Sequence, residues 1–176
     1  MRRRKMRDSY RFAFWRWQDI LTPHEVLTDI NLHGLTYERQ VYLRKLYLVR
    51  TPWRQATLHW IRRSDPGRDL HDHPRDFTSI ILRGGYVEER PSGTAPLWSE
   101  APDGSQAGPN TVATLHIAPK IVRRRAEDLH RIAAVMPHTL TLVLWGPRRR
   151  AWGFETAKGW IPWRTYVGAG QEELPQ

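Results

Sequence analysis

A chain of 176 residues is long enough for one domain with a substantial core and too short for two of ordinary size. It contains no cysteine, which excludes disulfides, iron–sulfur clusters and thiolate-bound zinc, so any metal must be held by His, Asp or Glu. The formal charge of +10 suggests an anionic partner, but +6 of it lies in residues 1–17, where seven basic side chains face Asp8 alone.

No apolar run approaches the ~20 residues that span a bilayer, and the basic start lacks the apolar segment of a secretory signal. The expected location is therefore a reducing cytoplasm, with no membrane partner. Residues 1–17 form a basic arm that ends in the aromatic cluster Phe12-Ala13-Phe14-Trp15-Arg16-Trp17. Such an arm offers weak, sequence-blind contact with nucleic acid phosphates, although a solvated tail docked by its aromatics is the commoner use.

A helical segment is expected over 18–55, packed on the domain that follows. Thr22-Pro23-His24-Glu25 has a capping threonine, proline at the first helical position and glutamate three residues after the cap. That helix should close near Asn31-Leu32-His33-Gly34, leaving His24 and His33 at its margins. Between Tyr37 and Val49, apolar residues interrupted by Arg39, Arg44 and Lys45 suit a second short helix running into Thr51-Pro52-Trp53.

From residue 56 the signals change to short β-rich runs separated by turns: 56–61, 77–82, 86–89, 111–117, 121–124, 129–135, 139–145, 149–156 and 160–167. Ser64-Asp65-Pro66-Gly67 is a turn, and Gly84-Gly85 closes the second run. Many short strands at regular spacing indicate a mainly β domain, a sandwich or barrel, over 56–168, followed by a tail over 169–176. Residues 91–110, rich in Pro, Gly, Ser and Ala, make the longest loop, either a lid latched by Trp98 or a hairpin connection.

The chemistry concentrates at Leu70-His71-Asp72-His73-Pro74. In an extended chain His71 and His73 point to one face and Asp72 to the other, so two imidazoles can share an ion if a third ligand arrives from elsewhere. His130, at the start of the run 129–135, is a third histidine. His59 and His116 sit mid-strand and are candidates for lining a pocket, while His138, in Met136-Pro137-His138, belongs to a turn. Arg62, Arg83, Arg131, Arg149 and Arg164 are candidates to bind an anionic substrate, against the simpler reading that they coat outer strand faces. Trp145, Trp152, Trp160 and Trp163 read as core and rim packing. No phosphate-binding glycine loop, nucleophile elbow or zincin helix is present.

The order His71-x-His73, strand, Gly84-Gly85, returning strand, loop, strands and distant His130 resembles the cupin superfamily. Closer still are cupin-like proteins of actinobacteria and their phages, through Tyr42-Leu43-Arg44, Thr51-Pro52-Trp53, Thr141-Leu142-Val143, Trp152-Gly153-Phe154 and Gly159-Trp160-Ile161-Pro162-Trp163-Arg164. The resemblance covers 40–166. It implies a double-stranded β-helix, or jelly roll, with short N-terminal helices, and one divalent metal inside the barrel on His71, His73 and His130. Fe(II) is the first choice, with Mn, Ni, Cu and Zn left open.

The glutamate that the family places after three or four intervening residues beyond the second histidine is replaced here by Phe77 or Thr78, so Asp76, one residue early, is the candidate fourth ligand. A three-histidine face is what cupin-type thiol dioxygenases show around ferrous iron. The reading is thus a metal-dependent enzyme, of oxygenase type, on a small substrate that is anionic, with Arg83, Tyr86, His59 and His116 as substrate contacts. The alternatives are a non-catalytic metal- or ligand-binding barrel and a nucleic-acid accessory protein using the arm, and a homodimer is compatible with each.

Overall fold

The structure is a computed structural model that describes residues 17–21, 26–31, 34–38, 40–99 and 108–168. Its elements are β1 (Trp17–Leu21), β2 (Val26–Asn31), β3 (Gly34–Glu38), β4 (Val41–Arg50), β5 (Gln55–Ile61), β6 (Leu70–His71) and β7 (Phe77–Arg83). They continue with β8 (Gly85–Pro91), β9 (Thr111–Ile117), β10 (Lys120–Arg124), β11 (Arg131–Val135), β12 (Thr139–Trp145), β13 (Gly153–Thr156), β14 (Gly159–Pro162) and one helical turn, α1 (Trp163–Tyr166).

Strand pairing is nested. β5 pairs with β12, β7 with β10 and β8 with β9, and β6 meets the start of β11 through an antiparallel bridge between His71 and His130. The chain thus behaves as one long hairpin, β5 to β8 going out and β9 to β12 returning. Rolling that hairpin creates two facing layers, β5-β12-β7-β10 and β6-β11-β8-β9, because β12 also pairs with β7 and β11 with β8. This winding is a jelly roll. β4 and β1 extend the first layer, and β13 and β14 extend the second beyond β6.

The tight returns have local causes. Gly84, between β7 and β8, has φ +69, and a Cβ there would lie 2.6 Å from Thr139 Oγ1. A Cβ on Gly85 would lie 2.4 Å from the His116 carbonyl oxygen. Only glycine lets the β7–β8 corner press so closely on β12 and β9. The buried core beneath is Ile61, Ile81, Tyr86 and Val122, with Leu43, Ala118, Ile132 and Val135 packed against it.

Two expectations are corrected. The chain between 17 and 50 forms strands where helices were expected: β2 and β3 make a hairpin, and β4 pairs along most of its length with β5 and β1. Cross-strand pairing with β5 outweighs the local helix signals. The last strand is also shorter than 160–167, because the chain turns into α1 after Pro162. The arm before Trp17 and the tail after Gly168 lie outside the described residues. No described helix is long and apolar enough to cross a membrane.

Candidate metal centre

His71 ends β6, and its backbone N–H and C=O exchange hydrogen bonds of 2.9 and 3.0 Å with His130. That reciprocal pair of hydrogen bonds locks the two layers together at the histidines themselves. Asp72 turns the other way, as alternation requires: it accepts hydrogen bonds from Gly153 N–H (2.7 Å) and Trp160 Nε1 (3.1 Å) and pairs with Arg150 (2.9 Å). Fixing Asp72 on the outer side aims His71 and His73 inward. The His73 N–H, donated to the Ala126 carbonyl at 2.9 Å, continues the strand direction beyond β6.

His71, His73 and His130 offer ligand nitrogens all within 4.8 Å of one another, the one metal-type cluster among the described residues. Nε2 of His73 and Nε2 of His130 are 2.8 Å apart. Two imidazole nitrogens at about 2.1 Å from one ion, at a right angle, are about 3.0 Å apart, and in line about 4.2 Å. The 2.8 Å pair thus lies within a few tenths of an ångström of the right-angle separation, and the donor set fits a divalent first-row metal.

Burial, with the neighbouring His71 and His130 adding to it, holds the His73 pKa well below the ordinary value. Burial also brings His71 down to about 4, against the pull of Asp65, whose Oδ2 lies 3.9 Å from His71 Nδ1. Both rings are thus neutral at neutral pH, the form that ligates metal.

His130 is oriented from behind. Its Nδ1 lies 2.7 Å from Glu88 Oε1, so with Nδ1–H donating to the carboxylate the Nε2 lone pair faces the cluster. Glu88 has a relative exposure of 1% and is held on its other sides by His116 Nε2 (2.9 Å) and by Arg124, whose Nε is 2.9 Å from Oε1 and whose Nη2 touches Oε2. Burial alone would raise the Glu88 pKa. The hydrogen bonds and charges of His130 and Arg124 more than offset it, and the group is held well below the usual carboxylate range.

The cluster opens on a cavity of about 300 Å³. Phe77, standing where the cupin pattern carries its glutamate, forms an apolar wall with its ring centroid 4.9 Å from that of His73. Trp145 and Trp152 also line it, 5.5 and 6.4 Å from the His73 ring. Tyr86 and His59 line it as well.

Other expected contacts lie elsewhere. Asp76 accepts the Ala126 N–H at 2.8 Å and pairs with Arg149 at 2.7 Å on the outer side, so it is no fourth ligand. His116 is spent on Glu88 and does not line the cavity. Arg83 has the parity of the inward Ser79 and Ile81 but is exposed, because the pairing of β7 with β12 shifts register between Ile81 and Arg83 at the strand's end. Arg131 pairs with Glu89, and Arg62 and Arg164 lie over Trp60 and Trp163. No described residue of the 91–110 loop lines the cavity; Trp98 instead sits under the Arg68 guanidinium.

Several residues line the cavity that the sequence did not mark as site residues: Tyr42, Lys45, Asp65, Arg75 and Thr141, with Glu88 behind His130. For Glu88 a signal existed, since it shares a strand face with the inward-pointing Tyr86 two residues before it. Burial lowers the Lys45 pKa, partly restored by Asp65, and burial followed by the Asp65 charge raises that of Tyr42.

Fold and site together define a jelly-roll protein with a three-histidine centre inside the barrel. No family model matches the sequence, and no curated protein does. Among solved structures it is similar to an RmlC-like cupin from Shewanella frigidimarina, at 15% identity, covering 76% of this chain and 87% of that one with a TM-score of 0.39. KdgF from Halomonas sp. gives 18% identity, 62% and 83% coverage and a TM-score of 0.42. Hydroxypropylphosphonic acid epoxidase from S. wedmorenis gives 14%, 60%, 50% and 0.40. Likeness at this level assigns neither family nor activity.

Proposed function

We propose that the protein is a metal-dependent cupin-type enzyme that binds one divalent ion, Fe(II) foremost, on His71, His73 and His130 and acts on a small molecule in the adjoining cavity. The observation that carries this is the convergence of three histidines from two facing segments, two of them held neutral and the third oriented by a buried carboxylate. An ion held by neutral imidazoles alone keeps its full 2+ charge and open positions, supplying Lewis acidity and, if iron, oxygenase-type chemistry.

The chain's own residues do the rest. Glu88 fixes the His130 tautomer, and Asp72 aims the strand that carries His71 and His73. Phe77, Trp145 and Trp152 exclude water from one side of the cluster. The test is anaerobic loading with Fe(II), followed by oxygen-consumption measurements with small carboxylic and hydroxy acids. Turnover that disappears in His73→Ala is expected. Stoichiometric metal with no turnover on any substrate would reduce the protein to a binding barrel, and failure to retain any divalent ion would remove the reading altogether.

A further inference from the structure

The wall of the cavity facing the histidines carries its own polar set. In the register of the first layer, Lys45 on β4 is paired with His59 on β5, and His59 with Thr141 on β12, so the three form one rung across three strands. Gln55 and Trp145 form a second pair further along β5 and β12. All five side chains line the cavity.

Three buried atoms of this set, His59 Nε2, Thr141 Oγ1 and Trp145 Nε1, have no hydrogen-bond partner. His59 has only 9% exposure and Thr141 1%. Unpartnered buried polar atoms are rare because each costs about 1–3 kcal/mol. Three of them on one wall, beside a lysine, mark a place built to receive a polar group. No described carboxylate lies within ion-pair distance of Lys45; Asp65 acts on it only from further away, with Oδ2 accepting the Ile132 N–H at 2.7 Å.

We infer that Lys45, His59 and Thr141, with the Trp145 indole N–H, form a subsite for the carboxylate of the substrate, which makes that substrate a small carboxylic acid. This rests on the reading of the cavity as a substrate site and adds the substrate's class. One ammonium balances a monoanion, which favours a carboxylate over a dianionic phosphate. Arg75, the one arginine lining the cavity among the described residues, is occupied by the Gly146 carbonyl at 2.7 Å. The Trp145 ring lies 6.3 Å from His59 and 5.5 Å from His73, so the subsite and the histidine cluster are one indole apart. A carboxylate on Lys45 therefore leaves the α- or β-carbon region of a short acid beside the histidines. A cavity of about 300 Å³ is at the small end of ligand sites, in keeping with such an acid.

The experiment is ligand-detected NMR titration of propionate, lactate, pyruvate and benzoate, each against its carboxamide, with glycerol phosphate as the phosphate arm. Proteins are the wild type, both metal-loaded and stripped by chelator and desalted, with Lys45→Met and Thr141→Val, their folding checked by thermal melts. At least one acid should bind the stripped wild type about tenfold or more tighter than its amide, and tighter than glycerol phosphate. Lys45→Met should remove that preference, and Thr141→Val should weaken it.

Equal binding of acid and amide, no binding of any acid, or a preference unchanged in Lys45→Met would overturn the subsite. So would a preference for glycerol phosphate. Acid binding that needs the metal and ignores Lys45 would also overturn it while leaving the metal reading intact. Acid preference in a protein that retains no metal would support the subsite and remove the enzyme reading, so the two failures are separable.

Discussion

Glu88 is the most informative residue to change, because four contacts from three side chains converge on one buried carboxylate. In Glu88→Ala the Arg124 guanidinium loses its buried partner, and His130 and His116 lose theirs. Breaking a buried charge pair from one side costs about 3–5 kcal/mol, and a domain of this size loses about 2–4 °C per kcal/mol, so melting should fall by roughly 6–20 °C. Glu88→Gln keeps the shape and one acceptor oxygen but turns an NH₂ toward donors and removes the charge that favours the ligating His130 tautomer. Loss of such an orienting carboxylate lowers metal affinity by about 10–100-fold. Competition against a chromophoric chelator measures this, with Glu89→Gln as control, since Glu89 pairs with Arg131 at 2.7 Å away from the cluster. Wild-type metal affinity in Glu88→Gln would refute the claim that Glu88 sets the His130 ligand atom.

Stripped of metal, the protein should lose stability as pH falls from about 6.5 toward 4. His71 is neutral in the fold down to about 4 but protonates from 6.5 when unfolded, so the unfolded chain binds more protons across that window; this one group accounts for about 3 kcal/mol, read from denaturant midpoints at stepped pH. Asp76→Asn should leave metal content unchanged, because its carboxylate serves Arg149 and the Ala126 N–H; loss of metal in that variant would return it to the ligand set. Deleting residues 1–9 should flatten the salt dependence of DNA binding without altering metal content, as filter binding at stepped salt would show; unchanged low-salt affinity would take the arm out of it.

The barrel was legible where β-branched and apolar runs are bounded by turns. Thr111–Ile117 and Thr139–Trp145 stand at the boundaries the sequence suggests, although in the second Thr141 and Val143 face inward while Leu142 and Leu144 face away. β4 was hidden by an inward-facing lysine. Leu43 and Lys45 share the inward face, and an inward lysine breaks the period of two that would identify a strand. At Thr22-Pro23-His24-Glu25 a local capping pattern suggested a helix, whereas the chain forms the β2–β3 hairpin just beyond it. His71 and His73 were legible because their spacing sets their facing, whereas His130 entered the set only through the cupin resemblance. Asp76 was not legible, because the chain beyond Pro74 turns: the Pro74 and Asp76 carbonyls accept the Arg149 and Gly146 N–H groups, and the Asp76 side chain follows to the outer side. Lys45 and Thr141 gain their meaning only from a register that brings three distant strands onto one rung.

The central claim is that His71, His73 and His130 hold one ion together. X-ray absorption at the metal edge, with elemental analysis of the same samples, tests it most directly. The wild type should carry about one divalent ion per chain with three imidazole nitrogens at about 2.1 Å, and His71→Ala, His73→Ala and His130→Ala should each lose most of it while His138→Ala does not. A wild type with substoichiometric metal, an edge spectrum lacking imidazole scattering, or a His130→Ala protein that keeps its full metal content would contradict the account.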